Sequence, residues 1–285
     1  MIIGIDIGST TTKAVSIEKG AVVKKIKTKA VDAVTSATGA LGKMLIENDM
    51  QIAQIERIMI TGAGADKIKN DIFGIPTKRV DEIAAIGVGG MFLSQKDAIV
   101  ITNIGTGTAV IEAKKGAISH MGGSGVGGGA ILGLAKKMLG VSHFDAIMEL
   151  AKNGNLNQVD LLLEDITDTG ISFLNKEATA SNFGKTLDSA RPEDIALGIL
   201  NMVYQVIGML SVFAAKSKNI DRVVVTGNGS ANPIGQNILA TITGMYRIQF
   251  EYPADAVYAT AIGAAIRAAD GAVFADTPRP TAGAL

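Results

Sequence analysis

Four short runs hold the residues best suited to chemistry. The first is Asp6-Ile7-Gly8-Ser9-Thr10-Thr11-Thr12-Lys13. Gly8 lets the backbone turn tightly after a strand, and the amides from Gly8 to Thr11 can then converge on one anion. Ser9, Thr10 and Thr11 add hydroxyl donors, and Lys13 can set a point charge on a terminal phosphate. Asp6, just before the turn, is placed to hold hydrated Mg²⁺. D-x-G-x-T is also a common hairpin turn, so this run alone decides little. A second copy strengthens it. The segment AIVITNIGTGTAVIEAKKG begins as a buried strand and runs into Asn103-Ile104-Gly105-Thr106-Gly107-Thr108. Gly105 and Gly107 open the backbone, while Thr106 and Thr108 offer hydroxyls. Asn103 stands where Asp6 stood; it cannot neutralise a cation but can hydrogen-bond its water shell. Two such turns would clamp a polyphosphate from opposite sides.

The third run is MGGSGVGGGAILGLAKKML. Its Gly123-x-Gly125-x-x-Gly128 has the spacing of a dinucleotide fingerprint without the expected strand and acidic ribose ligand. An apolar helix follows at once, so Gly125, Gly127, Gly128 and Gly129 read as a helix start that meets phosphates with its dipole. In the fourth, VTGNGSANP, Gly227 and Gly229 let a strand end lie flat against a purine or ribose, although an ordinary strand-to-helix turn fits the spacing equally well. A fifth segment, KRVDEIAAIG, supplies acids. An alcohol that receives a phosphoryl group needs an acceptor for its proton, a role open to Asp81 or Glu82. Acids at a helix start are also favoured by the dipole alone.

The elements that must position these runs repeat along the chain. IIGIDIGSTTTKAVSIEKGAVVKKI reads strand, tight turn, strand, Lys19-Gly20-Ala21 turn, strand; the segment from 98 reads the same way, with Lys115-Gly116-Ala117 at the second turn. RIMITGAGADKI later in the first half is matched by RVVVTGNGSANPIGQNIL in the second. The layout predicts a duplicated α/β architecture. We expect lobes at 1–95 and 96–285, joined by a hinge, with ligands at the strand-end turns between them.

Composition narrows the classes. Lys+Arg 27 balance Asp+Glu 27, so neither a basic nucleic-acid footprint nor an acidic tail is present. The absence of cysteine excludes disulfides, thiolate catalysis, iron–sulfur clusters and cysteine zinc sites, and fits a reducing compartment. No signal peptide is expected at MIIGIDIGSTTTK. The apolar stretch 198–215 is interrupted by Asn201, Gln205 and Ser211 and follows Pro192-Glu193-Asp194, which predicts a core or interface helix rather than a membrane span. TPRPTAGAL is expected to be a frayed tail.

These residues resemble the actin-like ATPase superfamily, with its two-lobed ribonuclease H-like fold, duplicated lobes and inter-lobe nucleotide cleft. More narrowly, the chain resembles the type II pantothenate kinases over roughly residues 1 to 268. GIDIGSTTTK is similar to the first phosphate loop. NIGTGT followed by GGSGVGGGAILGL is similar to the second phosphate loop and nucleotide loop, and TASNFG (179–184) to an element near the substrate. The resemblance implies ATP- and Mg²⁺-dependent phosphorylation of pantothenate, the first step towards coenzyme A, by a cytoplasmic homodimer with helix 194–217 as a candidate interface. It also implies Glu82 as the catalytic carboxylate and puts Glu82, Thr106, His120, Gly122, Asn182 and Phe183 on the substrate side. Two departures touch that side: Ser119-His120-Met121 stands where members commonly carry an Arg, and Ala84 where many have an Asp. GIDIGSTTTK is also similar to ATPases that activate acyl-CoA dehydratases and hold an iron–sulfur cluster through cysteines, which this chain lacks. A nucleotide-binding regulator without catalysis and a kinase for another small alcohol are the remaining readings.

Overall fold

The computed structural model describes residues 1–168, 174 and 176–269. TPRPTAGAL lies outside them. The chain opens with three antiparallel strands, β1 (Ile2–Ile7), β2 (Thr11–Glu18) and β3 (Ala21–Lys29). Helix α1 (Ala33–Glu47) leads to β4 (Arg57–Thr61), β5 (Thr77–Arg79) and helix α2 (Glu82–Ser94). The pattern then restarts with β6 (Ala98–Ile104), β7 (Thr108–Lys114) and β8 (Ala117–Ser124). Helices α3 (Gly128–Leu139) and α4 (Phe144–Ala151), the short strands β9 (Leu161–Leu162) and β10 (Thr179–Ser181) and helix α5 (Pro192–Ser217) follow. The chain ends with β11 (Arg222–Thr226), α6 (Pro233–Tyr246), β12 (Gln249–Glu251) and α7 (Ala259–Ala269).

The two sheets are copies. One runs β3-β2-β1-β4-β5 and the other β8-β7-β6-β11-β12. In each, the first three strands are antiparallel and the last two join in parallel. The hairpin glycines at the repeated Lys-Gly-Ala turns, Gly20 and Gly116, both have positive φ, +80° and +84°. Both faces of the central strands are covered, which is why β1 and β6 read as apolar runs. Ile3, Ile5 and Ile7 pack with Ala37, Leu41 and Met44 of α1. Val100 and Ile104 pack with α5, and Ile99 and Ile101 with Ile86 and Val88 of α2. Each fully buried isoleucine contributes about 1.5–3 kcal/mol. The edge strand β3 carries Lys24, Lys25, Lys27 and Lys29, charges that keep an open edge from pairing with other chains.

Helices α2 and α7 lie between the sheets. The last helix packs on the first sheet: Gly4 of β1 has no room for a Cβ beside the Ala261 carbonyl and Ala265. The two helices meet backbone to backbone, since a Cβ on Gly89 would strike the Ala259 carbonyl and one on Gly263 the Ala85 carbonyl. This contact joins the helix packed on the second sheet to the helix packed on the first. The long helix α5 meets the length and polarity of a membrane span, but 61% of its most apolar window is buried in the second core. Its polar residues are used internally: Asp194 accepts the Asn155 and Arg191 amides, and Ser211 Oγ lies 2.8 Å from Thr102 Oγ1. Its burial and its acidic, proline-led start fit the expected core or interface helix.

Candidate phosphate-binding cleft

The turns β1–β2 and β6–β7 face each other across one crevice of about 310 Å³. They touch: Ser9 Oγ lies 2.6 Å from Thr106 Oγ1, 97 residues apart in sequence. Asn228 Nδ2, beyond β11, donates to Thr11 Oγ1 at 2.9 Å. The crevice brings together Asp6, Gly8, Ser9, Thr10, Thr11 and Lys13 from the first lobe with Gly105, Thr106, Gly107, Thr108 and Gly227 from the second, and Glu82 joins them. The amides of Ser9, Thr10, Thr106 and Gly107 donate to no turn or loop carbonyl among the described residues, so they remain available to an anion. Gly105 differs, because its amide is spent on the Gly107 carbonyl at 2.9 Å. The Thr108 hydroxyl is likewise spent, on the Val126 carbonyl at 2.8 Å.

The glycine-rich run serves the loop rather than the crevice, and this corrects the expected path of its amides. Gly128 donates to the Gly105 carbonyl and Gly129 to the Thr106 carbonyl, each at 2.9 Å. A Cβ on Gly127 would lie 2.7 Å from Thr106 O, and one on Gly129 2.8 Å from Thr106 Cγ2. The start of α3 is pressed against the back of the second phosphate turn, and its first amides complete that turn. None of Gly125, Gly127, Gly128 and Gly129 lines the crevice. Gly229 departs from its expected place as well: it packs on Ile104, where a Cβ would not fit, and its carbonyl accepts the Tyr204 hydroxyl at 2.9 Å.

The strand ends repeat in detail. Asp6 and Asn103 are each the penultimate residue of a central strand, and each lies beside a threonine of the parallel neighbour, Thr61 or Thr226. Gly62 and Gly227, with φ of +87° and +81°, pass so close that a Cβ would fall 2.6 Å from Asp6 Oδ1 or 2.8 Å from Asn103 Oδ1. Asp6 is buried and its Oδ2 lies 3.2 Å from Lys13 Nζ.

Asp81 and Glu82 separate at the start of α2. Asp81 caps the helix by accepting the Ala84 amide. Glu82 has no hydrogen-bond partner among the described residues and keeps contact with solvent. Its pKa is raised from the ordinary glutamate value by desolvation in the crevice and then by the Asp6 and Asp81 carboxylates; Lys13 acts the other way.

Six further residues enter the lining: Ala63, Asn103, Ala109, Ser124, Asn228 and Thr260. Ala63 and Asn228 sit at matching places in the T-G-A-G and T-G-N-G turns that follow β4 and β11. Thr260, at the start of α7, carries no signal in its own segment. The residues expected near a substrate are dispersed. His120 is exposed on β8, paired with Ile111, whose side chain is buried against α2; cross-strand partners share a face, so His120 lies on the α2 side. Gly122 follows a one-residue irregularity in that strand. Asn182 and Phe183 lie outside the crevice lining, around the buried Asp160, whose carboxylate accepts the Phe183 amide at 2.9 Å and Asn201 Nδ2 at 2.7 Å.

The Asp6 carboxylate, with the hydroxyls of the two turns lining the same crevice, suits a hydrated hard cation such as Mg²⁺, which takes few protein ligands. Among the described residues no cluster of three or more acids and histidines offers a dedicated metal cage.

Duplicated sheets with glycine- and hydroxyl-rich turns facing across one cleft define an actin-like ATPase fold. The activator of the 2-hydroxyisocaproyl-CoA dehydratase from Clostridium difficile, solved with bound ADPNP, superposes with a TM-score of 0.68 at 19% identity over 94% of both chains. A ROK family glucokinase from Streptomyces griseus, solved with glucose and AMPPNP, gives 0.60 at 16% identity over 95% of this chain and 99% of that one. Within that class the chain belongs to the type II pantothenate kinase family, and the family model described as Fumble matches residues 98–266. The type II pantothenate kinase of Bacillus anthracis is 32% identical over 258 residues, covering 85% of this chain and 88% of its own. Pantothenate kinase 2 of rice, Oryza sativa subsp. japonica, is 30% identical over 215 residues, covering 61% of this chain and 24% of its own. The family is one of phosphotransferases.

Proposed function

We propose that this chain transfers the γ-phosphoryl group of ATP to the hydroxyl of pantothenate, giving 4'-phosphopantothenate for coenzyme A synthesis in the cytoplasm. The observation that carries the reading is Glu82: a carboxylate without a hydrogen-bond partner among the described residues, its pKa raised, at the edge of a crevice lined by two phosphate turns. The amides of Ser9, Thr10, Thr106 and Gly107 hold the phosphate oxygens, and Lys13 leaves Asp6 to meet the terminal phosphate. Glu82 takes the acceptor proton as the oxygen–phosphorus bond forms. Mg²⁺, held near Asp6 through water, would neutralise phosphate charge. His120, on the α2 side of β8, supplies polarity towards the acceptor. In the homodimer, a second copy covers the stripe Met202, Val206, Leu210 and Phe213, which α5 leaves outside the core; Phe213 alone is 62% exposed.

An ADP-release assay across pantothenate, pantetheine and sugars, with mass detection of products, tests the activity. Phosphopantothenate is the expected product. A phosphorylated sugar with pantothenate untouched would move the acceptor, and ADP release without any phosphorylated acceptor would favour a role as an ATPase activator. Light scattering of the wild type against Phe213→Glu tests the dimer.

A further inference from the structure

The two sheets carry the same strand-end pair, but only one of the pairs is made. Asp6 lies beside Thr61, and Asn103 beside Thr226, in matching registers. In the second sheet the Thr226 hydroxyl donates to Asn103 Oδ1 at 3.0 Å. In the first, Thr61 is 0% exposed and its hydroxyl has no partner. The neighbouring glycines match, as described above, so Asp6 Oδ1 is turned towards Gly62 as Asn103 Oδ1 is towards Gly227. What differs is the residue across the hairpin. Lys13 pairs with Asp6 and binds its Oδ2, whereas Ala109 pairs with Asn103 and brings no charge. A buried hydroxyl without a partner is costly, and its retention at a functional site calls for a use.

We propose that Thr61 is a positioning residue for Asp6. When a magnesium nucleotide enters, Lys13 turns from Asp6 to the phosphates, and the Thr61 hydroxyl then makes to Asp6 Oδ1 the hydrogen bond that Thr226 already makes to Asn103. Rotation about one side-chain bond exchanges hydroxyl for methyl and leaves the backbone in place. The proton stays on Thr61. Asp6 thus keeps its orientation as it loses the ammonium, with Oδ2 left for the water shell of the cation; a carboxylate fixed by such a neighbour is a better ligand. The inference rests on reading the cleft as a magnesium-nucleotide site.

Calorimetric titration of Thr61→Val and Thr61→Ser with AMPPNP, with Mg²⁺ and in EDTA, tests it, together with melting curves of the nucleotide-free proteins. Without nucleotide, the Val variant should melt at or above the wild type, because it keeps the volume and removes the orphan hydroxyl. Its Kd for Mg-AMPPNP should rise by ~10-fold, the size of one hydrogen bond to a charged group. Its Kd in EDTA should stay near the wild-type value, and the Ser variant should follow the wild type throughout. An unchanged Mg-AMPPNP affinity in Thr61→Val overturns the proposal, as does an equal loss in Thr61→Ser or an equal loss with and without metal. A wild type that binds no Mg-AMPPNP removes the reading of the cleft and this inference together. A wild type that binds it but leaves pantothenate untouched removes only the assignment of the acceptor.

Discussion

Asp81 and Glu82 are adjacent in the chain, and only one of the two carboxylates is free. Asp81 Oδ1 receives the Ala84 amide at 2.9 Å and caps α2, while Glu82 opens the helix beside the crevice. Glu82→Gln should therefore lower kcat by ~10²–10⁴ while nucleotide affinity stays near the wild-type value. Asp81→Ala should instead cost about 1 kcal/mol of stability through the lost cap. Steady-state rates, nucleotide titrations and thermal melts separate the two. Near-normal turnover in Glu82→Gln would remove it as the base.

The raised pKa of Glu82 sets the pH behaviour. A base must be ionised, so kcat/KM should rise with pH through that raised value and then level off. Asp81→Asn keeps a capping side chain and removes one of the charges that raise the pKa, so the rising limb should move to lower pH. Stability runs the other way. Folded Glu82 holds its proton more tightly than the unfolded chain does, so its contribution is full below the ordinary value of 4.5 and is lost as pH rises through the raised value. Glu82→Gln should therefore melt higher than the wild type at neutral pH, and this advantage should fade on acidification. Melting curves of both proteins across pH check the sign.

Two glycines of one run should respond in opposite ways. Around Gly125 a Cβ meets nothing within 4 Å, whereas at Gly127 it would press on Thr106 O and the Gly107 backbone. Gly127→Ala should displace the second phosphate turn and lower turnover by up to ~10²-fold, the usual cost of an ångström of misplacement. Gly125→Ala should stay close to the wild type. Equal activity in both variants would mean that the turn does not depend on the start of α3.

The contact between α2 and α7 makes a comparable forecast for stability. Gly89→Ala drives a methyl into the Ala259 carbonyl, with backbone on both sides and no side chain to yield; a loss of at least about 1–3 kcal/mol is expected. Gly42→Ala, in α1 with open space around it, should gain about 0.4–1 kcal/mol from the stiffer unfolded chain. Denaturant melts of the two variants supply the comparison. A stable Gly89→Ala protein would show that the two helices can part without consequence.

The sequence by itself determined the repeated strand–turn pattern, the phosphate turns and the acidic start of α2. These are local properties: a strand buried on both faces must be an apolar run, and a turn that bends tightly needs glycine at the bend. The order of elements also implied two sheets, because each half repeats the same hairpins and strand–helix units. Tertiary structure alone decided which groups are free. It spent the Gly128 and Gly129 amides on the second turn, gave Asp81 to a cap and left Glu82 open. It gathered Asn182 and Phe183 around Asp160 and placed α7 on the first sheet. Local pattern limits what a residue is able to do, whereas its hydrogen-bond partner comes from whatever the packing of the two lobes brings alongside. Ser9 meets Thr106, and Asn228 meets Thr11, across separations of 97 and 217 residues that no spacing rule covers.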